Sequence, residues 1–217
     1  MKSHIVSAIE THKIIAILRG IPAEKLIQTA EALIRGGIRL LEITYDASAK
    51  ISDEETANSI RTLADHFKGK LLIGAGTVMT TEQVRLTAES GGCFIISPNT
   101  DREIIKACND FGLVSIPGAL TPSEIADAHN AGADFVKLFP VTTMGPAYVK
   151  AVKAPLSHVK LLAVGGINQE NMTEYLSAGV CGFGIGSDIT DKTLIRNNDW
   201  DAIAQKAKAY AEVIRNG

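Results

Sequence analysis

Apolar runs of four or five residues recur along the chain, and most are followed by an amphipathic stretch whose apolar positions fall three and four apart. The runs are Ile14–Leu18, Leu40–Thr44, Leu71–Ala75, Phe94–Ser97, Leu113–Ile116, Phe135–Phe139, Lys160–Val164 and Gly182–Gly186. They are too short for helices of that content, and their near-continuous hydrophobicity predicts strands buried on both faces, as in a parallel sheet covered by helices. The intervening patterns predict helices over Ala23–Arg35, Asp53–Phe67, Thr81–Ser90, Asp101–Asn109, Pro122–Asn130 and Asn171–Ala178. An extra helix, Met1–His12, precedes the first strand, and Asp199–Arg215 forms the last helix. End signals agree with this reading. Thr121 is an N-cap with Pro122 at the first helical position and Glu124 placed to complete a capping box. Gly36-Gly37, Gly91-Gly92, Gly132 and Gly179 stand just past helix ends.

Eight strand–helix units predict a TIM-type (β/α)8 barrel, an α/β fold, with an extra N-terminal helix and a single domain over residues 1–217. An open doubly wound sheet also alternates strands and helices. The barrel is favoured because chemistry-bearing residues end most of the strands instead of clustering at one switch point.

Composition narrows the function. With 217 residues, 46% of them hydrophobic, the chain is long enough to bury a full core. A net charge of −2 gives no support for a nucleic-acid partner. No apolar stretch approaches the roughly 20 residues that span a bilayer, and Met1-Lys2-Ser3-His4-Ile5 lacks the apolar core of a signal peptide. Cys93, Cys108 and Cys181 are isolated, which argues against a disulfide framework or a zinc site. A soluble, cytoplasmic protein without a metal or other cofactor is expected.

Side chains two apart share a face of a strand. Phe135, Lys137 and Phe139 then face the barrel interior while Val136 and Leu138 face the helices. By the same rule Leu40, Glu42 and Thr44 point inward, as do Ile15, Ile17 and Arg19. One lysine, one glutamate and one arginine thus converge. A lysine among apolar strands has a depressed pKa, and its neutral amine attacks a ketone near neutral pH. Glu42, its pKa raised by burial, suits general acid–base work. Arg19 suits a bidentate grip on a substrate carboxylate. The competing structural readings are a buried Lys137–Glu42 ion pair and a surface arginine at a strand end.

A second signal is phosphate-like. Gly165-Gly166-Ile167-Asn168 follows the seventh strand and Gly186-Ser187-Asp188 the eighth, where such turns expose backbone N–H groups and a short helix start adds positive dipole. Thr77 ends the third strand and can hydrogen-bond a ligand oxygen. Ser97-Pro98-Asn99 and Ile116-Pro117-Gly118 end the fourth and fifth as rim turns or substrate contacts.

These segments, in this order, carry a resemblance to a known family. The chain resembles the class I 2-keto-3-deoxy-6-phosphogluconate and 4-hydroxy-2-oxoglutarate aldolases through Ala16-Ile17-Leu18-Arg19-Gly20, Leu41-Glu42-Ile43-Thr44, Gly74-Ala75-Gly76-Thr77-Val78, Ile96-Ser97-Pro98, Ile116-Pro117-Gly118, Thr121-Pro122, Val136-Lys137-Leu138-Phe139-Pro140, Gly165-Gly166-Ile167 and Gly186-Ser187. The resemblance implies a lyase of Entner–Doudoroff-type carbohydrate metabolism that releases pyruvate and glyceraldehyde 3-phosphate, and a homotrimer. It implies Lys137 as the Schiff-base former and Glu42 as the acid/base. Thr77, Pro98 and Phe139 would stand near the pyruvate moiety, and Gly165, Gly166, Gly186 and Ser187 around the phosphate. The activity implied is cleavage of 2-keto-3-deoxy-6-phosphogluconate, with the phosphogalactonate epimer or 4-hydroxy-2-oxoglutarate as the alternative substrate. Three departures leave the stereochemistry at C4 open between the gluconate and galactonate branches. Asp46 stands where many gluconate-type members carry arginine, Val164 where they often carry threonine, and Ile17-Leu18-Arg19-Gly20 together with Met144-Gly145-Pro146-Ala147-Tyr148 look like the galactonate branch. The rival readings are a metal-dependent aldolase, which needs converging histidines and carboxylates, a sugar-phosphate isomerase or epimerase using Glu42 as base, and a non-catalytic sugar-phosphate binder on the same barrel.

Overall fold

Each apolar run is a strand in the computed structural model, which describes residues 2–216. The helix α1 (Lys2–His12) leads into β1 (Ile14–Leu18); Met1, counted in the expected N-terminal helix, lies outside the described residues. There follow α2 (Leu26–Arg35), β2 (Leu40–Thr44), α3 (Asp53–His66), β3 (Leu72–Gly76), α4 (Thr81–Glu89), β4 (Phe94–Ile96) and α5 (Arg102–Asp110). The second half runs β5 (Val114–Ile116), β6 (Gly118–Ala119), α6 (Pro122–Asn130), β7 (Val136–Leu138), α7 (Gly145–Lys153), β8 (Leu161–Val164), α8 (Met172–Ala178), β9 (Gly182–Ile185), α9 (Lys192–Arg196) and α10 (Trp200–Asn216).

All pairings are parallel, in the order β5-β4-β3-β2-β1-β9-β8-β7-β6. The expected count of eight strands becomes nine because Pro117 interrupts the fifth: it has no N–H for the ladder, so the run breaks into β5, which pairs with β4, and β6, which pairs with β7. The two pieces still close the barrel. Phe135 N donates to Ser115 O at 3.2 Å and Lys137 N to Pro117 O at 2.8 Å.

Local signals set most helix ends. The Thr121–Glu124 capping box and Pro122 at the start of α6 form as expected, and Ser52 with Glu55 makes a second box before α3. Two starts differ from the pattern. Ala23–Lys25 is a 3-10 turn, so α2 proper begins at Leu26, and Asn171 stands at the N-cap of α8 with its side chain engaged elsewhere.

Face alternation divides the core in two. Ile14, Ala16, Leu18, Leu41, Ile43, Val136 and Leu138 pack outward beneath the helices. Ile15, Leu40, Phe94, Phe135 and Leu162 fill the barrel interior with Ile5 and Ile9 of α1. The first helix therefore closes the N-terminal end of the barrel, and burying each such side chain contributes roughly 1.5–3 kcal/mol. The other end is left for chemistry.

Candidate active site

At the C-terminal strand ends lies a cavity of about 350 Å³ lined by Ile17, Arg19, Thr77, Pro98, Lys137 and Phe139 on one side. Val164, Gly165, Gly166, Ile167, Gly186, Ser187 and Asp188 line the other. Lys137 comes from the middle of β7 and is 6% exposed. Its amine lies 4.7 Å from the centroid of the Phe139 ring, which is half-exposed at the cavity wall. Burial pushes the Lys137 pKa down; Glu42 opposes this, and Arg19 adds to it.

Glu42 does not line the cavity surface. It lies beneath it, 1% exposed, with its pKa raised by burial and partly brought back by Lys137 and Arg19. Among the described residues, neither Glu42 nor Lys137 takes part in an ion pair within 4.0 Å. The two groups therefore influence each other electrostatically without forming a closed structural pair. Space for Glu42 comes from β3, whose upper inward residues, Gly74 and Gly76, have no side chain. A Cβ on Gly76 would meet Glu42 Cγ at 2.6 Å and its carboxylate closer still, and one on Gly74 would meet Phe94 Cγ at 2.5 Å. Phe94 fills the lower part of this slot and Glu42 the upper. Sequence reading missed this role, since it depends on what faces β3 across the barrel.

Thr77 follows Gly76 with φ +56°, a left-handed conformation unusual for a β-branched residue and costing about 1–2 kcal/mol. Hydrogen bonds on both sides hold it: Tyr45 N donates to Gly76 O at 2.9 Å, and Val78 N to Ile96 O at 3.2 Å. The strained residue stands at the cavity edge, where Thr77 is among the lining residues.

The glycine turns form part of the cavity wall. Among the described residues, the backbone N–H groups of Gly165, Gly166, Ile167, Gly186, Ser187 and Asp188 have no acceptor. Gly165 and Gly166 have φ of +99° and +70°, and a Cβ on Gly166 would meet Thr142 Oγ1 at 2.8 Å. Free amides converging on one cavity make an anion cradle. The helix start expected here is absent: α8 begins only at Met172, and Gly186 is followed by one turn closed by Ile189 N and Thr190 N donating to Gly186 O. Asp188, an acid beside this cradle, is turned toward α10, accepting from Tyr210 Oη and standing 3.8 Å from Lys206 Nζ. None of the five histidines lines the cavity.

Asp46 is not free to contact a ligand. Its carboxylate accepts from Ser48 N and Oγ, Lys50 N and Ile51 N, which holds its pKa down to about 2 and closes the loop after β2 on itself. Arg19 is the guanidinium that lines the cavity. Of the residues sequence reading did not assign to the site, Ile17 and Val164 are inward positions by alternation. A Cβ on Gly184 would meet Val164 Cγ2 at 3.0 Å and Ile17 Cδ1 at 3.5 Å, so these two side chains fill the space beside an inward glycine.

A parallel α/β barrel with a desolvated lysine between a buried carboxylate and an anion cradle defines an aldolase-type lyase. The family model for KDPG and KHG aldolase matches residues 5–206, and the chain belongs to this family. It is 36% identical to the 2-dehydro-3-deoxy-6-phosphogalactonate aldolase of Escherichia coli K12 over 203 residues, covering 93% of this chain and 96% of that one. It is 31% identical to the 2-dehydro-3-deoxy-phosphogluconate aldolase of Haemophilus influenzae, covering 97% of each chain. Among solved structures, that of native KDPGal superposes with a TM-score of 0.84 at 35% identity, covering 94% of each chain. KDPG aldolase from Legionella pneumophila, with pyruvate captured at low pH as a covalent carbinolamine intermediate, superposes with a TM-score of 0.84 at 30% identity, covering 94% of this chain and 97% of that one.

Proposed function

We propose that Lys137 is the Schiff-base nucleophile of a class I aldolase acting on a 2-keto-3-deoxy-6-phosphohexonate, with the galactonate epimer as its preferred substrate. The observation that carries the reading is the Lys137 amine itself, desolvated in a cavity that also presents six amides unpartnered among the described residues. The neutral amine adds to the C2 ketone, and loss of water leaves an iminium. Glu42 takes the proton of the C4 hydroxyl, the C3–C4 bond breaks, and its electrons flow into the iminium as an enamine. Glyceraldehyde 3-phosphate departs. Return of the proton to C3 and hydrolysis of the imine release pyruvate and regenerate Lys137. Arg19 grips the substrate carboxylate and Thr77, Pro98 and Phe139 surround the pyruvate portion. Gly165, Gly166, Gly186 and Ser187 hold the phosphate.

The galactonate preference is supported by the engaged Asp46, by Arg19 at the cavity and by Val164 standing in the cavity wall where gluconate-type members often carry threonine. The relatives support an aldolase of phosphorylated keto acids, and the homotrimer implied by the resemblance is open to light scattering.

Incubation with pyruvate and borohydride is expected to leave a stable mass increase on Lys137 that Lys137→Ala abolishes; an adduct surviving that substitution would sink the Schiff-base assignment. Side-by-side kcat/KM values for the galactonate and gluconate phosphates and for 4-hydroxy-2-oxoglutarate test the specificity. A higher value for the gluconate phosphate would overturn the stereochemical preference, and a higher value for 4-hydroxy-2-oxoglutarate the phosphate reading.

A further inference from the structure

The cradle after β8 needs something to hold it, since two successive glycines in left-handed conformation have little preference of their own. Two asparagine side chains supply the hold. Asn171 Nδ2 donates to Gly166 O at 3.0 Å, while its Oδ1 accepts from Asn168 N at 2.9 Å. Asn168 Oδ1 in turn accepts from Glu170 N and Asn171 N, each at 3.0 Å. Together these bonds clasp the segment from Gly166 to Asn171.

The clasp has a directional consequence. In a trans peptide the C=O and the following N–H lie in one plane and point opposite ways. Asn171 ties down the carbonyl of Gly166, so the N–H of Ile167 points the opposite way within that plane. Ile167 lines the cavity, and its N–H has no acceptor among the described residues. Asn171 thereby fixes the orientation of a free donor without itself lining the cavity.

We propose that Asn171 is a positioning residue for the substrate phosphate, holding the Ile167 amide of the glycine turn in the orientation that receives it. This rests on the phosphate reading of the glycine turns. Removing the side-chain amide frees the Gly166–Ile167 peptide to rotate, and one preorganised charge-assisted hydrogen bond becomes optional. Asn171→Asp is the harsher change, because it sets an anionic oxygen against the Gly166 carbonyl where a donor stood and adds negative charge beside the phosphate.

The test compares 2-keto-3-deoxy-6-phosphogalactonate with its non-phosphorylated counterpart. Loss of a hydrogen bond to a charged group predicts roughly a 10- to 100-fold fall in kcat/KM for the phosphorylated substrate in Asn171→Ala, carried mainly by KM. Asn171→Asp falls further. Neither change moves kcat/KM for the non-phosphorylated substrate more than about twofold, nor the yield of the borohydride-trapped pyruvate adduct. Asn168→Ala leaves the bond from Asn171 to Gly166 intact and is expected to cost less, which keeps the proposal testable should Asn171→Ala fold poorly. Equal losses on both substrates, or an Asn168→Ala variant as impaired as Asn171→Ala, would reduce the clasp to a structural loop lock and overturn the proposal. A wild-type enzyme that does not discriminate between the two substrates would overturn the phosphate reading beneath it.

Discussion

The slot for Glu42 depends on an absent side chain, and Gly76→Ala tests it directly. The backbone at Gly76 lies outside the left-handed region, so alanine meets no conformational penalty there. The added Cβ would stand 2.6 Å from Glu42 Cγ, against the 3.4 Å at which ordinary contact begins. Glu42 Cγ must therefore retreat by about 0.8 Å, and the carboxylate beyond it by on the order of 1 Å. A misplacement of that size in a reacting group costs about 100-fold in rate, or about 2.7 kcal/mol of transition-state stabilisation. Steady-state turnover is expected to fall by that factor, while pyruvate is still trapped on Lys137 by borohydride and the protein melts as a folded barrel. The decisive measurement is the double-mutant cycle with Glu42→Gln. If Gly76→Ala acts by moving the carboxylate, it costs little once the carboxylate is gone. Additive losses, or wild-type turnover in Gly76→Ala, would refute the reasoning.

Other outcomes follow from the same geometry. Glu42→Gln is expected to lose about 100- to 10,000-fold in turnover while retaining pyruvate trapping, and to melt higher than wild type near neutral pH. The sign follows from burial: the folded pKa lies above the unfolded value, so the stability of the wild type is lost as pH rises across that window, and glutamine removes the loss. Differential scanning calorimetry at pH 4 and pH 8 should show the difference only at the higher pH. Arg19→Ala is expected to raise KM roughly 10- to 100-fold and to move the acid limb of the pH–rate profile upward, because Arg19 lowers the pKa of both Glu42 and Lys137; a downward shift would contradict that assignment. Ile9→Ala, removing a side chain 1% exposed at the closed end of the barrel, should destabilise by about 2–5 kcal/mol in urea unfolding without altering KM.

Much of this site was legible before any fold was known, and the reason is geometric. A strand has a period of two, so a lysine, a glutamate and an arginine at interior positions of parallel strands converge whatever the barrel's exact dimensions. The glycine turns were legible because their residue types permit little else at two successive strand ends. What escaped depends on partners distant in sequence. The vacancy at Gly74 and Gly76 is meaningful only once Phe94 and Glu42 are known to occupy it. The division of the fifth strand was half visible in Pro117, but its second piece pairs with β7 and no local pattern announces two residues of strand. The first helix was expected, whereas its position inside the barrel mouth was not, since Ile5 and Ile9 read equally well as one face of a surface helix. The Asn168–Asn171 clasp is a matter of side-chain rotamers and could not be read from spacing.

The two ends of the barrel are coupled through solvent. Phe135, in the inner core just before β7, and Lys137, in the site, lie two residues apart on one face, so the amine sits one layer above packed hydrocarbon. Phe94 lies in the same inner core and also fills the lower half of the slot whose upper half holds Glu42. Water kept out of the lower layers by α1 is thus also kept from the undersides of the two groups whose pKa values must be displaced. Burial moves the carboxylate up and the amine down, which brings their titrations toward each other from opposite sides of neutrality. Each shift disfavours a charged form in the folded state and so costs stability. The apolar contacts of the inner layer offset that cost, and they are the same contacts that exclude the water. A substitution that merely loosens the layer should therefore weaken the chemistry through the pKa values even where no reacting group is touched.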